Sequence, residues 1–437
     1  METIFAVFRL GIKYLYRYRR RYAFLMAVLI FGFAVVTFIS STKDGMYDNA
    51  YYAAQSHYAG DIVAVGYEAL FDGEYLHRLG QNEISAILNA AHLSGINPQH
   101  TVLRTLSGSD AVVHFNGNAI RLRYLVGSDW DKESHIFSRM SFDEAPDPDI
   151  GDDGIILSVP IAGQLGAQMG DSIILELDTR FGQKNTGIFI VKGIVQYTSI
   201  FGYYKAYIAR LSLNRLLIYD DDDCSTIGFF FDHPRRAEEK RLALQEFLSP
   251  QLQTGPLVYD RDGMVLERDR PWEGTRVFIY TMPVYLSEIS NLLDAMNIIT
   301  YFLYGMMLIT ILASATVTYR LILHERAREI GIMRVIGFYG GDLRLVLWTE
   351  VVVLAFFSII AGFFLARLLS WGASFVSFSW FPGFEIFLRN DRLIPLYLPG
   401  ATALNGALIF LVLLMMALFP SFRVSRKKLT ELLSGDA

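Results

Sequence analysis

Four long apolar stretches dominate the pattern of hydrophobic and polar positions along the chain. The first covers 22–41 without a charged residue, and the second lies between Asp294 and Arg320, again without an intervening charge. The third and fourth cover 345–369 and 401–420. A helix of about 20 apolar residues crosses about 30 Å of hydrocarbon, so each stretch predicts a membrane-spanning helix. The first is too long for the apolar part of a signal peptide, and no small-residue cleavage site follows it, so we expect a retained span.

Lysine and arginine are concentrated in three segments that alternate with these stretches: 1–21, 321–344 and 421–437. Such residues accumulate on the cytoplasmic side of a membrane. With four spans, all three segments fall on one side. We therefore expect both termini in the cytoplasm, residues 42–288 on the periplasmic side, and a location in the bacterial inner membrane.

The predicted fold class is an α-helical membrane protein with four transmembrane helices and a large mixed α+β extracytoplasmic domain inserted between helices 1 and 2. The expected segments are a cytoplasmic amphipathic basic N-terminal helix (1–21), transmembrane helix 1 (22–41), the outer domain with stalk ends (42–288), the stalk and transmembrane helix 2 (289–320), a cytoplasmic helical loop (321–344), transmembrane helix 3 (345–369), a short extracytoplasmic loop (370–400), transmembrane helix 4 (401–420) and a cytoplasmic tail (421–437). The stalk is predicted as a helix continuous with the second span. Its alternative is an amphipathic segment lying at the membrane interface.

Short strand and helix patterns fill the outer domain. Asn116-Gly117 stands between two apolar runs and predicts a β-hairpin, because both residue types tolerate the positive φ of a tight turn. The periodicity predicts strands at 61–65, 154–158, 172–177 and 188–195, and helices at 82–93, 160–165 and 235–248.

Composition agrees with a membrane protein. Hydrophobic residues make up 52% of the chain and charged residues 19%, against roughly a quarter charged in soluble domains. The net charge of −5 suggests no nucleic-acid partner. Cys224 is the single cysteine, so the outer domain must fold without an intramolecular disulfide.

The most informative segment directly follows the second span and reads HERAREIGIMRVIG over residues 324–337. Charged residues alternate with apolar ones, which predicts a short amphipathic helix that ends at Gly337 and the Gly340-Gly341 pair. One interpretation is a basic helix in contact with anionic membrane lipid. A second interpretation is favoured by the order of the residues in this segment and by Glu350, which follows near the start of the third span.

This order resembles the hallmark of the FtsX-like permeases of ABC transporters, in which the short helix after the second span docks on a separate ATPase. Weaker likenesses lie at 10–21, 60–62, 154–171 and 191–195, and at 420–433, where the proline usual before the final short helix is missing. Within the family, the size and span number most resemble the lipoprotein-releasing LolC/LolE permeases, which have a MacB-like periplasmic core domain.

The resemblance implies which residues couple to the ATPase: Glu325, Arg326, Arg328, Glu329, Ile330, Gly331, Met333, Arg334 and Gly337. The chain contains no G-x-x-x-x-G-K-[ST] motif, so ATP and Mg²⁺ are expected on a partner ATPase dimer and no cofactor on this chain. We expect no catalytic or metal site and no enzymatic activity of the chain alone. A second copy of the permease, or a paralogue, would complete the assembly.

The implied function is a permease subunit that couples ATP hydrolysis to a change in the outer domain and extracts lipoproteins from the membrane for a carrier. Three alternatives stay open: MacB-like efflux or mechanotransmission, FtsX-like regulation of cell-wall hydrolases, and a membrane-anchored sensor without an ATPase. The sensor ranks last because it does not need the pattern at 325–337.

Three further features each have two interpretations. Glu350 lies inside an apolar run, and either makes a buried contact that orients the loop or reaches the cytoplasmic interface. The acidic run 220–223 is interpreted as a solvated turn rather than a Ca²⁺ site. An aromatic belt at the membrane interface is expected from four residues, Tyr47, Tyr51, Tyr52 and Tyr58. The alternative is that they form a surface that shelters acyl chains.

Overall fold

The computed structural model describes residues 19–70, 75–108, 110–144, 146–196, 202, 204–232, 236–378, 380, 384–389 and 392–426. The predicted N-terminal helix over 1–21 lies almost entirely outside these residues, as does the end of the predicted tail. The chain divides into a helical unit, formed by Met1–Tyr47, Asp294–Ser377 and Arg392–Ala437, and a mixed unit, formed by Asp48–Leu293 and Phe378–Asp391.

Helices in the described residues are, in chain order, α1 (Arg19–Tyr58), α2 (Gln81–Leu93), α3 (Ser134–Phe137), α4 (Val159–Leu165), α5 (Arg210–Leu217), α6 (Ala237–Leu248), α7 (Arg261–Arg268), α8 (Met282–Tyr285), α9 (Ser287–Glu325), α10 (Ala327–Val335), α11 (Gly340–Ala373) and α12 (Pro399–Arg426). Among them, four are long and apolar enough to cross a membrane, over Tyr22–Tyr58, Asn297–Glu325, Gly340–Ala373 and Pro399–Ala417. The prediction of four transmembrane helices is confirmed.

Apolar side chains from all four long helices form the core of the helical unit. They include Leu25, Leu29 and Phe33 of α1, Ile311, Ala315 and Tyr319 of α9, Leu347 and Leu354 of α11, and Ile409 and Leu413 of α12. At Gly362 of α11, an added Cβ would lie only 2.9 Å from the carbonyl oxygen of Ile30. Small residues of this kind let helix backbones approach closely, which favours helix association in lipid.

Two helices extend beyond the predicted spans. α1 continues to Tyr58, well beyond the predicted span end at 41, because residues 42–58 contain alanines and no proline to end the helix. α12 passes Pro420 and ends at Arg426, beyond the predicted span end at 420. A proline removes one backbone hydrogen bond and can kink a helix, but it does not always end one.

The strands of the mixed unit are β1 (Ile62–Ala69), β2 (Tyr75–Leu76), β3 (His100–Ser107), β4 (Val112–Phe115), β5 (Asn118–Arg121), β6 (Tyr124–Ser128), β7 (Phe142–Glu144), β8 (Gly154–Ser158), β9 (Ser172–Asp178), β10 (Lys184–Val195), β11 (Lys205–Ala209), β12 (Thr226–Phe230) and β13 (Thr275–Thr281). In the described part of the chain they form one sheet in the order β13-β1-β12-β3-β6-β11-β8-β10-β9-β4-β5, with β2 beside β1 and β7 beside β10. Two of its pairs are parallel, β6 with β11 and β8 with β10. This sheet and its helices confirm the predicted mixed α+β domain.

The predicted hairpin is the β4–β5 pair, in which Phe115 lies opposite Asn118. Asn116 and Gly117 between them have φ values of 47° and 82°, the positive values that a two-residue hairpin turn requires. The periodicity at 154–158, 172–177 and 188–195 corresponds to β8, β9 and β10.

Two apolar clusters cover different parts of the sheet. In one, Ile87 of α2 and Leu244 of α6 pack in the same core as Ile227 of β12. In the other, residues of α4 and α5 pack on β8 and β11. Cys224 lies in the first cluster, where burial raises the pKa of its thiol to about 12.

The interpretation of 220–223 as a solvated turn is wrong for its last residue. Asp223 is 1% exposed, and its carboxylate accepts a hydrogen bond from Arg78 Nε at 2.6 Å. A buried carboxylate needs such a partner, and the arginine on the neighbouring segment supplies it.

Tyr51 and Tyr58 likewise form neither the predicted aromatic belt nor its alternative. Tyr58 stacks on Tyr285 with 3.8 Å between ring centroids, and the Tyr51 hydroxyl donates to Asp61 Oδ1 at 2.8 Å. Both side chains pack against the core of the mixed unit.

Candidate functional site at the loop after the second span

The loop between α9 and α11 is built around the short helix α10. Arg326 alone separates α9 from α10, and its φ of −97° and ψ of 4° interrupt the helix. At the other end Gly337 has φ +108°, which residues with a Cβ rarely adopt. The N–H of Phe338 donates to the carbonyl of Met333 at 3.1 Å, a bond that closes the last turn of the helix.

A buried ion pair fixes the start of this loop. Arg326 and Glu350 are 1% and 0% exposed. Arg326 Nη1 donates to Glu350 Oε2 at 2.8 Å, and Nη2 donates to Oε1 at 3.1 Å. The Tyr22 hydroxyl donates to Glu350 Oε2 at 2.7 Å and accepts from Arg326 Nη1 at 3.1 Å. One network therefore joins the loop, α11 and α1.

The geometry of this pair explains why arginine suits the position. Its planar guanidinium meets both carboxylate oxygens, and such two-point pairs are stronger than single contacts. Either charge buried alone would cost several kcal/mol. Glu350 therefore makes the buried contact that was one of its two interpretations, and the contact holds the start of α10 on α11.

The predicted coupling residues fall into two sets. Buried in the helical unit are Arg326, Ile330, Gly331 and Met333, and their contacts hold the loop in place. Glu325, Arg328 and Gly337 are exposed, and Glu329 and Arg334 are partly exposed. Only this second set is available to another protein.

Sequence reasoning missed an exposed apolar face on the same loop. Its members are Ile332, Val335, Ile336 and Tyr339, of which Ile336 is 74% and Tyr339 82% exposed. Ile332 and Val335 belong to α10, whereas Ile336 and Tyr339 lie between α10 and α11, so only the i, i+3 spacing of the first two was a helical signal. Tyr22 was also missed as a functional residue. It stands at the start of the first span, directly after a basic run, and Glu350 has a similar place near the start of the third span, after the basic loop.

A second buried charged cluster lies in the mixed unit at the C-terminal end of α1. Arg104 Nη1 donates to the carbonyls of Ser56 at 3.2 Å and His57 at 2.9 Å, and its Nε donates to Glu133 at 2.9 Å. Lys205 Nζ donates to the His57 carbonyl at 3.2 Å. Both cations satisfy carbonyls at the negative end of the helix. Burial, reinforced by the charge of Arg104, holds the pKa of Lys205 well below its usual range.

The part of the chain that contains the loop matches a known protein family. Residues 301–429 match the family described as FtsX-like permease C-terminal. This part of the chain is an FtsX-like permease domain. The FtsX-like domain includes Arg326 and Glu350, while Tyr22, which completes their network, lies outside the matched residues.

Other comparisons add little to the FtsX-like assignment. No curated protein matches the chain. The periplasmic region of MacB from Actinobacillus actinomycetemcomitans aligns at 14% identity and a TM-score of 0.32, over 54% of this chain and 96% of that one. A domain of a protein described as a permease, from Porphyromonas gingivalis, aligns at 12% identity and a TM-score of 0.27, over 51% of this chain and 89% of that one. TM-scores this low do not establish a shared fold.

Proposed function

We propose that the chain is the permease subunit of an ABC transporter and that a separate ATPase binds the exposed apolar surface of α10 and of the turn that follows it. The FtsX-like match and the four candidate spanning helices support the permease role. The observation that carries the docking proposal is the contrast between two sides of the loop that contains α10. One side is fixed by a buried ion pair, and the other exposes large apolar side chains.

The exposed side has the chemistry of a protein-binding surface. Ile336 and Tyr339 are more than two-thirds exposed and lie outside the candidate spans, and apolar side chains grouped in this way mark interaction sites. Glu325 and Arg328, both exposed, supply charges at the rim. An ATPase groove that receives this face would bury the apolar group and pair the charges.

The buried side makes α10 suited to transmit a displacement. Because the Arg326–Glu350 pair joins the start of α10 to α11, a push on α10 moves both together rather than bending the loop. We propose that closure of the ATPase dimer supplies the push, and that the helices shift between two packed arrangements. ATP and Mg²⁺ are then bound by the partner.

The proposed orientation follows from the basic segments. The loop and both termini are cytoplasmic, the mixed unit is periplasmic, and the membrane is the bacterial inner membrane. A second copy of the chain or a paralogue completes the assembly.

We further propose that the cargo is a lipid-anchored protein. The support is the resemblance to the LolC/LolE permeases, together with the energetics of extraction. Exposing acyl chains to water costs about 0.8 kcal/mol per CH₂, so removal of a lipoprotein from a bilayer needs an energy source and a carrier.

The docking proposal is tested with Ile336→Asp and its matched control Ile188→Asp. The two isoleucines are 74% and 70% exposed, and Ile188 belongs to β10 of the mixed unit. A tagged chain is purified from native membranes, and the co-purifying ATPase is identified and quantified by mass spectrometry. We expect at least a tenfold loss of ATPase for Ile336→Asp and none for the control. Equal recovery with both variants would contradict docking at α10.

The cargo is tested on the same purified assembly in nanodiscs. We expect lipidated proteins to co-purify and to be released on addition of ATP but not of a non-hydrolysable analogue. Recovery of an efflux adaptor or a cell-wall hydrolase instead would favour the corresponding alternative and leave the permease assignment intact.

A further inference from the structure

Arg367 stands among large exposed apolar side chains near the C-terminal end of α11, the end remote from the loop around α10. The arginine is itself exposed. Its neighbours on the same helical face are Phe364, Leu368 and Trp371, and all three are more than half exposed. An ionisable side chain on the lipid-facing side of a spanning helix is costly, and it commonly marks a functional site.

The length of α11 places Arg367 at the membrane interface. Arg344, near the start of this helix, and Arg367 lie about 35 Å apart along the axis at about 1.5 Å per residue. The hydrocarbon core is about 30 Å thick, so the two guanidinium groups reach the headgroup layers of opposite leaflets. Trp371 and Phe375 follow Arg367, and their rings meet edge to face with 4.9 Å between centroids, as expected where aromatic side chains gather at an interface. The anion that this layer offers is a lipid phosphate.

An aromatic platform holds the guanidinium of Arg367 in place. Its Cζ lies 4.5 Å from the centroid of the Tyr397 ring and 5.9 Å from that of Phe363. The two rings meet edge to face with 5.9 Å between centroids. The Tyr397 hydroxyl donates to the Ala366 carbonyl at 2.9 Å, which fixes that ring on α11. A cation that is positioned before it binds loses less conformational entropy on binding.

The hydrogen-bond donors of this guanidinium are available to a ligand. Among the residues that the structure describes, Arg367 makes neither an ion pair nor a hydrogen bond. Arg326 differs, because its donors already meet both carboxylate oxygens of Glu350. A guanidinium that packs on aromatic rings through its face keeps the N–H groups at its edge, and that edge matches two oxygens of a phosphate.

We infer that Arg367 and its aromatic platform bind the phosphate of an anionic phospholipid in the leaflet at this end of α11. The guanidinium donates to two phosphate oxygens. The acyl chains lie along Phe364, Ile360 and Phe357, which form an exposed apolar row that leads from Arg367 toward the middle of the bilayer. The lipid supplies the negative charge that the described residues around Arg367 lack. The inference depends neither on the ATPase nor on the cargo.

Native mass spectrometry of the full chain in detergent tests the site with three probes: phosphatidylglycerol, diacylglycerol with the same acyl chains, and glycerol phosphate. We expect phosphatidylglycerol to bind at least tenfold more tightly than either of the others. Arg367→Gln should reduce the affinity for the first bound phosphatidylglycerol at least tenfold. The matched control is Arg320→Gln, at an exposed arginine near the end of α9, which should change it less than twofold.

Arg367→Lys keeps the charge but not the two-point donor edge, so we expect an intermediate loss of about threefold. Thermal melting of each variant establishes that it is folded. Diacylglycerol that binds as tightly as phosphatidylglycerol would reduce the site to an apolar contact, and equally tight glycerol phosphate would identify a soluble phosphate ester as the ligand. Either result overturns the inference, as does the same loss of affinity in Arg367→Gln and Arg320→Gln or unchanged affinity in Arg367→Lys.

Discussion

At the scale of single residues, the Arg326–Glu350 pair makes a specific prediction about stability. Arg326→Met or Glu350→Leu leaves a buried charge without its partner, and such changes cost about 3–5 kcal/mol. The double variant Arg326→Met/Glu350→Leu removes both charges and should regain most of that loss. Thermal unfolding in detergent measures all three.

The control for this series is Arg320→Met, at an exposed arginine of α9, which should change stability by less than about 0.5 kcal/mol. A double variant as unstable as the sum of the two single ones would show that the residues act independently and that the pair is not the source of the effect.

His77 predicts how stability depends on pH. Burial, followed by the charge of Arg268, lowers its pKa from 6.5 to about 4, and its ring packs against Tyr67 and Tyr75. Between pH 6.5 and 4 the unfolded chain binds a proton that the folded chain excludes. Stability therefore falls as the pH falls through this window, by at most about 3 kcal/mol.

Denaturant titrations of the full chain at pH 7.5 and pH 4.5 measure this effect. His77→Gln should reduce the difference between the two pH values, while His92→Gln, at an exposed position of α2, should leave it unchanged. An unaltered pH dependence in His77→Gln would assign the effect to other groups.

Residue roles were only partly predictable from the sequence. Glu350 was identifiable because an acid inside an apolar run needs a partner. Arg326 stands among alternating charges that are typical of an exposed helix, and its burial depends on Tyr22, 304 positions earlier in the chain. No local pattern contains such a contact.

At the scale of elements, the turn after α10 depends on a single glycine. Gly337→Ala forces a residue with a Cβ into φ +108°, at a cost of about 1–3 kcal/mol. Because an added Cβ meets no atom within 4 Å, the cost comes from the backbone alone. We expect lower thermal stability and weaker ATPase recovery.

Gly341→Ala is the natural comparison, since Gly341 lies within α11 and its added Cβ also meets nothing within 4 Å. Alanine favours a helix over glycine by about 1 kcal/mol, so this variant should be neutral or more stable. The same loss in both variants would mean that the turn geometry is not responsible.

Elements with a clear local signal were predictable, and those defined by their surroundings were not. The Asn116-Gly117 hairpin and β8 to β10 follow from turn chemistry and apolar runs. β11 is buried along its whole length, Lys205 included, so it shows no alternation, and its apolar run of four residues is too short to distinguish a strand from a buried helical segment. Its burial comes from its place between β6 and β8, which sequence patterns do not show.

At the scale of the whole molecule, the apolar stretches and basic segments predicted the span number and the place of the inserted domain. They also predict on which side of the membrane each part lies. A protease site inserted between Asn116 and Gly117, both exposed in their turn, should be cut by protease added outside spheroplasts. The same site appended to the C-terminus should be cut only after lysis, and cleavage in the opposite order would refute the proposed orientation.

The buried state of Cys224 has a practical consequence for experiments that test the proposed motion. A thiol whose pKa is raised to about 12 is almost entirely protonated at neutral pH, and only the thiolate reacts readily with maleimides and methanethiosulfonates. We therefore expect the chain with its natural cysteine to show little labelling by these reagents. Paired cysteines introduced at exposed positions accept spin labels without prior removal of Cys224, and pulsed electron resonance can then measure how their separation changes with nucleotide.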